Sequence, residues 1–153
     1  MQIRAFKSED APQILALSSR FNEIDFLAYR DLDVMTQKQL ELAQKSIASN
    51  ASNIFVAESN GHFLGYLEMS SKKDYFTQKE VAYIEAIAVL STAEKQGVGQ
   101  LLMTKAEDWC REQHCTELVL DVFSANQKAI SFYERLGFDK EIIKMVKSVT
   151  PKS

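Results

Sequence analysis

YIEAIAV at residues 83–89, EKQGVG at 94–99, ELVLDVF at 117–123 and NQKAISFYERLGF at 126–138 follow one another in one stretch of the chain. The first and third are apolar runs of strand length. The second joins a strand to a helix whose apolar stripe is Val98, Leu101, Leu102, Ala106 and Trp109. The fourth has helical spacing and stops at Gly137, the residue type that tolerates the left-handed turn after a helix. Strand, glycine turn, helix, strand, helix is therefore the expected order of the second half.

Working outward, residues 2–6 alternate and predict a short first strand. Ser8 is the expected cap of a helix with Pro12 near its start, and Ile14, Leu17 and Phe21 form its inner face. The segment 22–34 has no clear period. Thr36 with Gln39 fits a capping box for a second helix carrying Leu40, Ala43 and Ile47. IFVAE and HFLGYLEM flank Ser-Asn-Gly, and Asn60-Gly61 between apolar runs predicts a tight hairpin. A polar stretch, 70–80, precedes the long strand, and residues 141–149 read as a last strand. The whole, residues 1–153, is expected to be one mixed α/β domain with helices packed on a central sheet.

Composition agrees with one globular domain. Apolar residues make up 46% and charged residues 25% of the 153 positions, close to soluble averages. A net charge of −3 gives no basic footprint for nucleic acid. No signal peptide and no apolar run long enough to span a bilayer are read in the chain, so a cytoplasmic protein with no membrane partner is expected. Cys110 and Cys115 lack metal-ligand spacing, and His62 and His114 stand far apart, so reduced thiols and no metal are expected.

Three features carry chemistry. At Glu94–Gly99, paired glycines let backbone approach a bulky ligand, and the free N–H groups of a first helical turn suit a pyrophosphate. The Gly-Lys-Ser/Thr ending of a P-loop is absent. On the last helix, Asn126 and Tyr133 lie two turns apart on one face, about 10 Å along the axis, with small Ala129 between them. That groove suits an extended ligand arm. On the long strand, alternation places Tyr83, Glu85, Ile87 and Val89 on one face. A carboxylate among apolar side chains is costly unless paired or functional, which makes Glu85 a candidate base.

Taken together, YIEAIAV, EKQGVG, LDVF and NQKAISFYERLGF resemble the GNAT family of acyl-CoA-dependent N-acetyltransferases, strongly over residues 81–138 and more loosely before. The resemblance implies a central, mostly antiparallel mixed sheet, splayed between two central strands and flanked by about four helices. It implies acetyl-CoA as cosubstrate and an amine acceptor. Backbone N–H groups of Lys95, Gln96, Gly97, Val98, Gly99 and Gln100, after Glu94, would hold the pyrophosphate. Ile87, Ala88 and Val89 would pair with the pantetheine arm, which Asn126 and Ala129 would flank. Tyr133 would protonate the leaving thiolate, the Val89 N–H would serve the oxyanion, and Glu85 would act as base.

Two departures from the family pattern matter. Glu94 stands where Arg or Gln is usual, so it is expected to repel pyrophosphate unless Lys95 offsets it. The short tail provides one last strand where many relatives carry two. It leaves either a more open acceptor side or an edge completed by a second copy in a homodimer. Glu23, Asp25, Asp31 and Asp33 among Phe21, Phe26 and Tyr29 suit a cationic small-molecule amine. A protein or peptide N-terminal acetyltransferase and a non-catalytic acyl-CoA-binding regulatory module stay open as alternatives.

Overall fold

The computed structural model describes residues 1–151, with residues 21–23 described by their backbone alone. Five strands, β1 (Gln2–Ala5), β2 (Ile54–Ser59), β3 (His62–Lys73), β4 (Glu80–Val89) and β5 (Leu118–Leu120), form one sheet in chain order. The first four pair antiparallel through β1·β2, β2·β3 and β3·β4. The β4·β5 pair is parallel, because the connection between them is a crossover helix. The helices are α1 (Ala11–Leu17), α2 (Leu32–Ser49), α3 (Val98–Glu112) and α4 (Gln127–Arg135). The expected class, a mostly antiparallel mixed sheet flanked by four helices, is the one observed.

The sheet has two apolar faces, each covered by helices. On one, Leu67, Met69, Ala82 and Ile84 pack against Val98, Leu102, Ala106 and Trp109 of α3. On the other, Ile54, Val56 and Tyr66 meet Ile14 and Leu17 of α1. Arg4 of β1 fixes the approach of α1. Its guanidinium makes two hydrogen bonds of 2.8 Å to Asp10 and one of 2.6 Å to Glu58. Asp10 also accepts from the Lys7 N–H at 2.8 Å, so Asp10, and not Ser8, caps this turn.

Three local expectations change. Helix α2 starts four residues before the Thr36 capping box, because Asp31 accepts from the N–H groups of Asp33 and Val34 at 2.9 and 3.2 Å. Thr36 lies inside the helix and donates to the Leu32 carbonyl. The polar stretch after Met69 is not a separator: β3 runs on to Lys73, and Asp74 closes the turn back to β4 by accepting from Phe76 and Thr77. Residues 141–149 form no strand. They have strand-like composition, but no neighbouring strand pairs with them, and Ile142, Ile143, Met145 and Val149 remain exposed.

The long hairpin holds the feature that shapes the cleft. Glu68 pairs with Ala86 and Met69 with Ile84, leaving Glu85 as an extra residue on β4. Such a bulge resets the alternation. Tyr83 therefore does not share a face with Ile87 and Val89, as simple alternation required. Ile84, Ile87 and Val89 belong to the α3 side, whereas Ala86 and Ala88 belong to the α1 side. The Leu90 N–H donates to the Leu64 carbonyl at 2.8 Å. Hydrogen-bonded pairs alternate in an antiparallel ladder, so Ala88 is bonded to Tyr66, and the backbone groups of Ile87 and Val89 turn away from β3. On that side β5 pairs only with Ala82, Tyr83 and Ile84. Beyond Ile84 the two strands part.

The close approach of β3 to β4 requires a glycine. A Cβ at Gly65 would stand 2.5 Å from the Ala88 carbonyl oxygen. Gly65→Ala is expected to lower unfolding free energy by about 1–3 kcal/mol, the usual range for overpacking, measured by denaturant titration. Unchanged stability would show that the strands separate freely here. Asp10 supplies a second test. Its bonds to Arg4 hold its carboxyl below the usual range. That stabilisation is complete above the unfolded-state value of about 4 and is lost as pH falls through the lower folded-state value. Asp10→Asn should therefore flatten the acid limb of a stability–pH curve.

Candidate active site

Where β4 and β5 part, a cleft of about 940 Å³ opens through the sheet. Its floor is β4 from Glu85 to Val89. One wall is the turn into α3, a second is α4 with Asn126, Ala129 and Tyr133, and a third is α1 and α2 with Tyr66 and Glu68 beneath them. All four named features of the second half therefore converge on one space.

At one end the turn delivers α3. Gly97 has φ +83°, a conformation that a side chain would strain, and no side chain caps the helix it starts. The N–H groups of the first turn thus face the cleft without a capping group and, with the helix dipole, favour an anion. Gly99 lines the cleft as well, and a Cβ there would meet the Phe132 ring at 3.3 Å, so the missing side chain also lets α4 sit close against α3.

Glu94 is held between two cations. Arg20 donates to one of its oxygens at 2.5 Å, and Lys128 lies 3.1 Å from the other. These bonds keep the Glu94 carboxyl below its usual range. Arg20 also donates to the Val89 carbonyl. The offset to the Glu94 charge therefore comes from Arg20 and Lys128, not from the adjacent Lys95, and the local balance of the three side chains is positive. Only the fold could show this, since Arg20 is 74 positions away in sequence.

Of the three backbone positions expected to meet a ligand arm, Ile87 and Val89 point into the gap, and Ala88 does not, because its groups are spent on β3. Asn126 caps α4 by accepting from the Ala129 N–H at 3.3 Å. Tyr133 is partly buried between the rings of Phe132 and Phe138, with centroids 5.6 and 5.7 Å away. Burial pushes its phenol above the usual value, so it is a neutral donor throughout the physiological range.

Glu85 projects from the bulge and is not isolated. It accepts from Ser70 at 2.6 Å and pairs with Lys72 at 2.9 Å. Lys72 sits 3.9 Å above the Tyr83 ring. Burial, and then the neighbouring Asp121 carboxylate, push the Tyr83 phenol upward. Two carboxylates at the cleft went unpredicted, Glu68 and Asp121. The available signal was the one used for Glu85: an acid inside an apolar strand, here LGYLEM and LVLDVF.

The acids of the α1–α2 connection do other work. Asp31 caps α2 and Asp33 lies in its first turn. Phe26 packs edge-on to Phe123 at 4.7 Å, and the Arg30 guanidinium covers both Tyr29 and Phe123. The cation expected over these rings is thus one of the chain's own. Asp25 is exposed, and the side chains of Phe21 and Glu23 lie outside the described residues. Cys110 and Cys115 are buried free thiols. Among the described residues no cluster of metal-ligating side chains occurs, and no helix is long and apolar enough to cross a membrane.

The chain matches the family model of the acetyltransferase (GNAT) family over residues 15–138. It is 26% identical over 141 residues to the uncharacterised N-acetyltransferase YhfO of Bacillus subtilis, covering 92% of this chain and 91% of that one. It is 30% identical over 100 residues to an aminoglycoside N(6')-acetyltransferase type 1 of Klebsiella aerogenes, covering 64% of this chain and 66% of that one. A solved Pyrococcus furiosus protein, provisionally named an acetyl transferase, superposes with a TM-score of 0.77 at 24% identity over 97% of this chain and 99% of its own. That last likeness is one of fold.

The Arg20–Glu94–Lys128 arrangement is directly measurable. In a carbon-detected NMR titration the Glu94 carboxyl should titrate below an ordinary glutamate, and Arg20→Gln should move it back up. An ordinary value in the native protein would show that the three side chains do not form this arrangement in solution.

Proposed function

The chain belongs to the GNAT acetyltransferase family, and on that premise we propose that it transfers the acetyl group of acetyl-CoA to a primary amine of a small cationic molecule. The observation that carries this reading is the parting of β4 from β5 beside an uncapped helix start. The Ile87 backbone and the Val89 N–H there are left for an amide-bearing arm, the Val89 carbonyl being taken by Arg20, and the first turn of α3 offers N–H donors to its phosphates. The residues present fit such a donor.

In the proposed reaction the neutral amine attacks the thioester carbonyl directly and a tetrahedral intermediate forms. The Val89 N–H donates to the oxygen where charge develops. Tyr133 donates to the sulfur and then gives it a proton. Glu85 takes the proton of the incoming ammonium, directly or through water, with Lys72 and Ser70 fixing its position.

The acceptor class follows from charge. The cleft carries Glu68, Glu85 and Asp121 at its far end and Arg20 and Lys128 near the helix start. An anionic donor and a cationic acceptor are thereby sorted to opposite ends. The aminoglycoside-acetylating relative supports an amino sugar or a polyamine as acceptor. A cytoplasmic site of action completes the reading, since acetyl-CoA is made and used there.

The test is release of free thiol from acetyl-CoA with a panel of polyamines, amino sugars and peptides. Turnover with peptides alone would overturn the small-molecule reading. Tyr133→Phe is the sharper probe of mechanism, because it keeps the ring and removes the hydroxyl. Turnover should fall at least about tenfold, with acetyl-CoA affinity and melting temperature unchanged. Undiminished turnover would leave Tyr133 as packing alone.

A further inference from the structure

Glu68 is a carboxylate on β3 in a residue only 6% exposed, and it lines the cleft. One of its oxygens accepts from the Asn50 amide at 2.8 Å. Asn50 is itself fixed, donating to the Met69 carbonyl at 3.0 Å and accepting from Asn53 at 2.8 Å. What Glu68 lacks is a cation. Asp10, Glu58, Glu85 and Glu94 each have a lysine or arginine within 4.0 Å, and among the described residues Glu68 has none. These four are more exposed or fully paired; the one acid that is both buried and without a cation faces the cleft. Its charge is felt nearby, since it adds to the burial that pushes the Tyr66 phenol upward. Buried carboxylates are normally paired.

A second, independent observation comes from the helix wall above Glu68. Gln39, on α2, lines the same cleft, and its side-chain oxygen is buried with no hydrogen-bond partner. A buried acceptor left without a donor is costly, though less so than a buried charge without a partner. Both groups call for donors. A primary ammonium has three N–H donors, a positive charge and no acceptor.

We propose that Glu68 and Gln39 bind an ammonium group of the acceptor that stays charged, so that the acceptor carries at least two amines. The inference rests on the acetyltransferase reading and narrows it. A carboxylate bound to an ammonium favours the protonated form, which cannot attack a thioester. Glu68 is therefore suited to anchor the molecule, and the reacting nitrogen must lie elsewhere. Glu68 pairs across the sheet with Ala86, three residues along β4 from Val89, which is about 10 Å at strand rise. Extended diamines, polyamines and amino sugars place two nitrogens at such a separation.

The experiment compares spermidine with a monoamine of equal chain length, each with acetyl-CoA, in the native protein and in Glu68→Gln. Glu68→Gln should raise the KM for spermidine at least tenfold with a smaller change in kcat, and leave the KM values for monoamine and acetyl-CoA unchanged. Glu68→Asp, which keeps the charge, should recover part of the spermidine KM. An equal effect on both amines, or none on spermidine, overturns the assignment. Should Glu68→Gln not fold, Gln39→Leu carries the same comparison, with the same split expected and the same result overturning it. Calorimetry with spermidine and without acetyl-CoA separates this inference from the reading beneath it. Binding to the native protein that Glu68→Gln abolishes supports the ammonium site even where no transfer is detected, and absence of binding to the native protein overturns it.

Discussion

Between Ile84 and Ile87 the fourth strand carries one residue more than its partner can match, and the cleft depends on how the sheet absorbs it. A strand is bound on both edges only while its backbone keeps phase with both neighbours. The extra residue, Glu85, keeps β4 joined to β3 but bends and twists it. The pairing with β5 ends at the same point. What results is a strand segment in the middle of a sheet with one edge unpaired, a condition the interior of a protein tolerates only if something else satisfies those groups.

Everything around that segment is arranged by packing. Gly65 allows β3 to press against β4, and Gly99 allows α4 to press against α3. The first contact fixes the floor of the cleft and the second fixes Tyr133 on its wall. Both glycines act by absence: a Cβ would collide with a backbone oxygen at Gly65 and crowd an aromatic ring at Gly99. The turn at Gly97 is different, since there the backbone conformation itself requires glycine.

The charges are sorted along the cleft by elements far apart in the chain. Arg20, three residues past the end of α1, and Lys128 from α4 converge on Glu94, and their sum is positive where helix α3 begins. Glu68, Glu85 and Asp121 come from β3, β4 and the end of β5 and gather at the other end. On the proposed reading, opposite signs at the two ends would orient an anionic donor and a cationic acceptor before any specific contact is made.

Several elements were legible from residues alone because their causes are local. Asn60-Gly61 fixes a turn through its own backbone preferences, and α3 and α4 follow from apolar spacing and Gly137. The glycine turn, Asn126 and Tyr133 were legible for the same reason, since their spacing along one helix or one turn survives any packing. What failed was whatever depended on a partner strand. The Tyr83–Val89 face was misread because a bulge is a mismatch between two strands and leaves no mark on one of them. Residues 141–149 read as a strand by composition, yet a strand exists only where an edge receives it. The neutralisation of Glu94, the cation-free burial of Glu68 and the unmatched oxygen of Gln39 were beyond sequence altogether. Sequence determined the elements whose causes are local, the glycine turn and the uncapped start of α3 among them, because helix starts and glycine turns carry their chemistry with them. Tertiary structure decided which acids are paired and which are left waiting, because pairing is a matter of distance between side chains that the chain brings together only on folding.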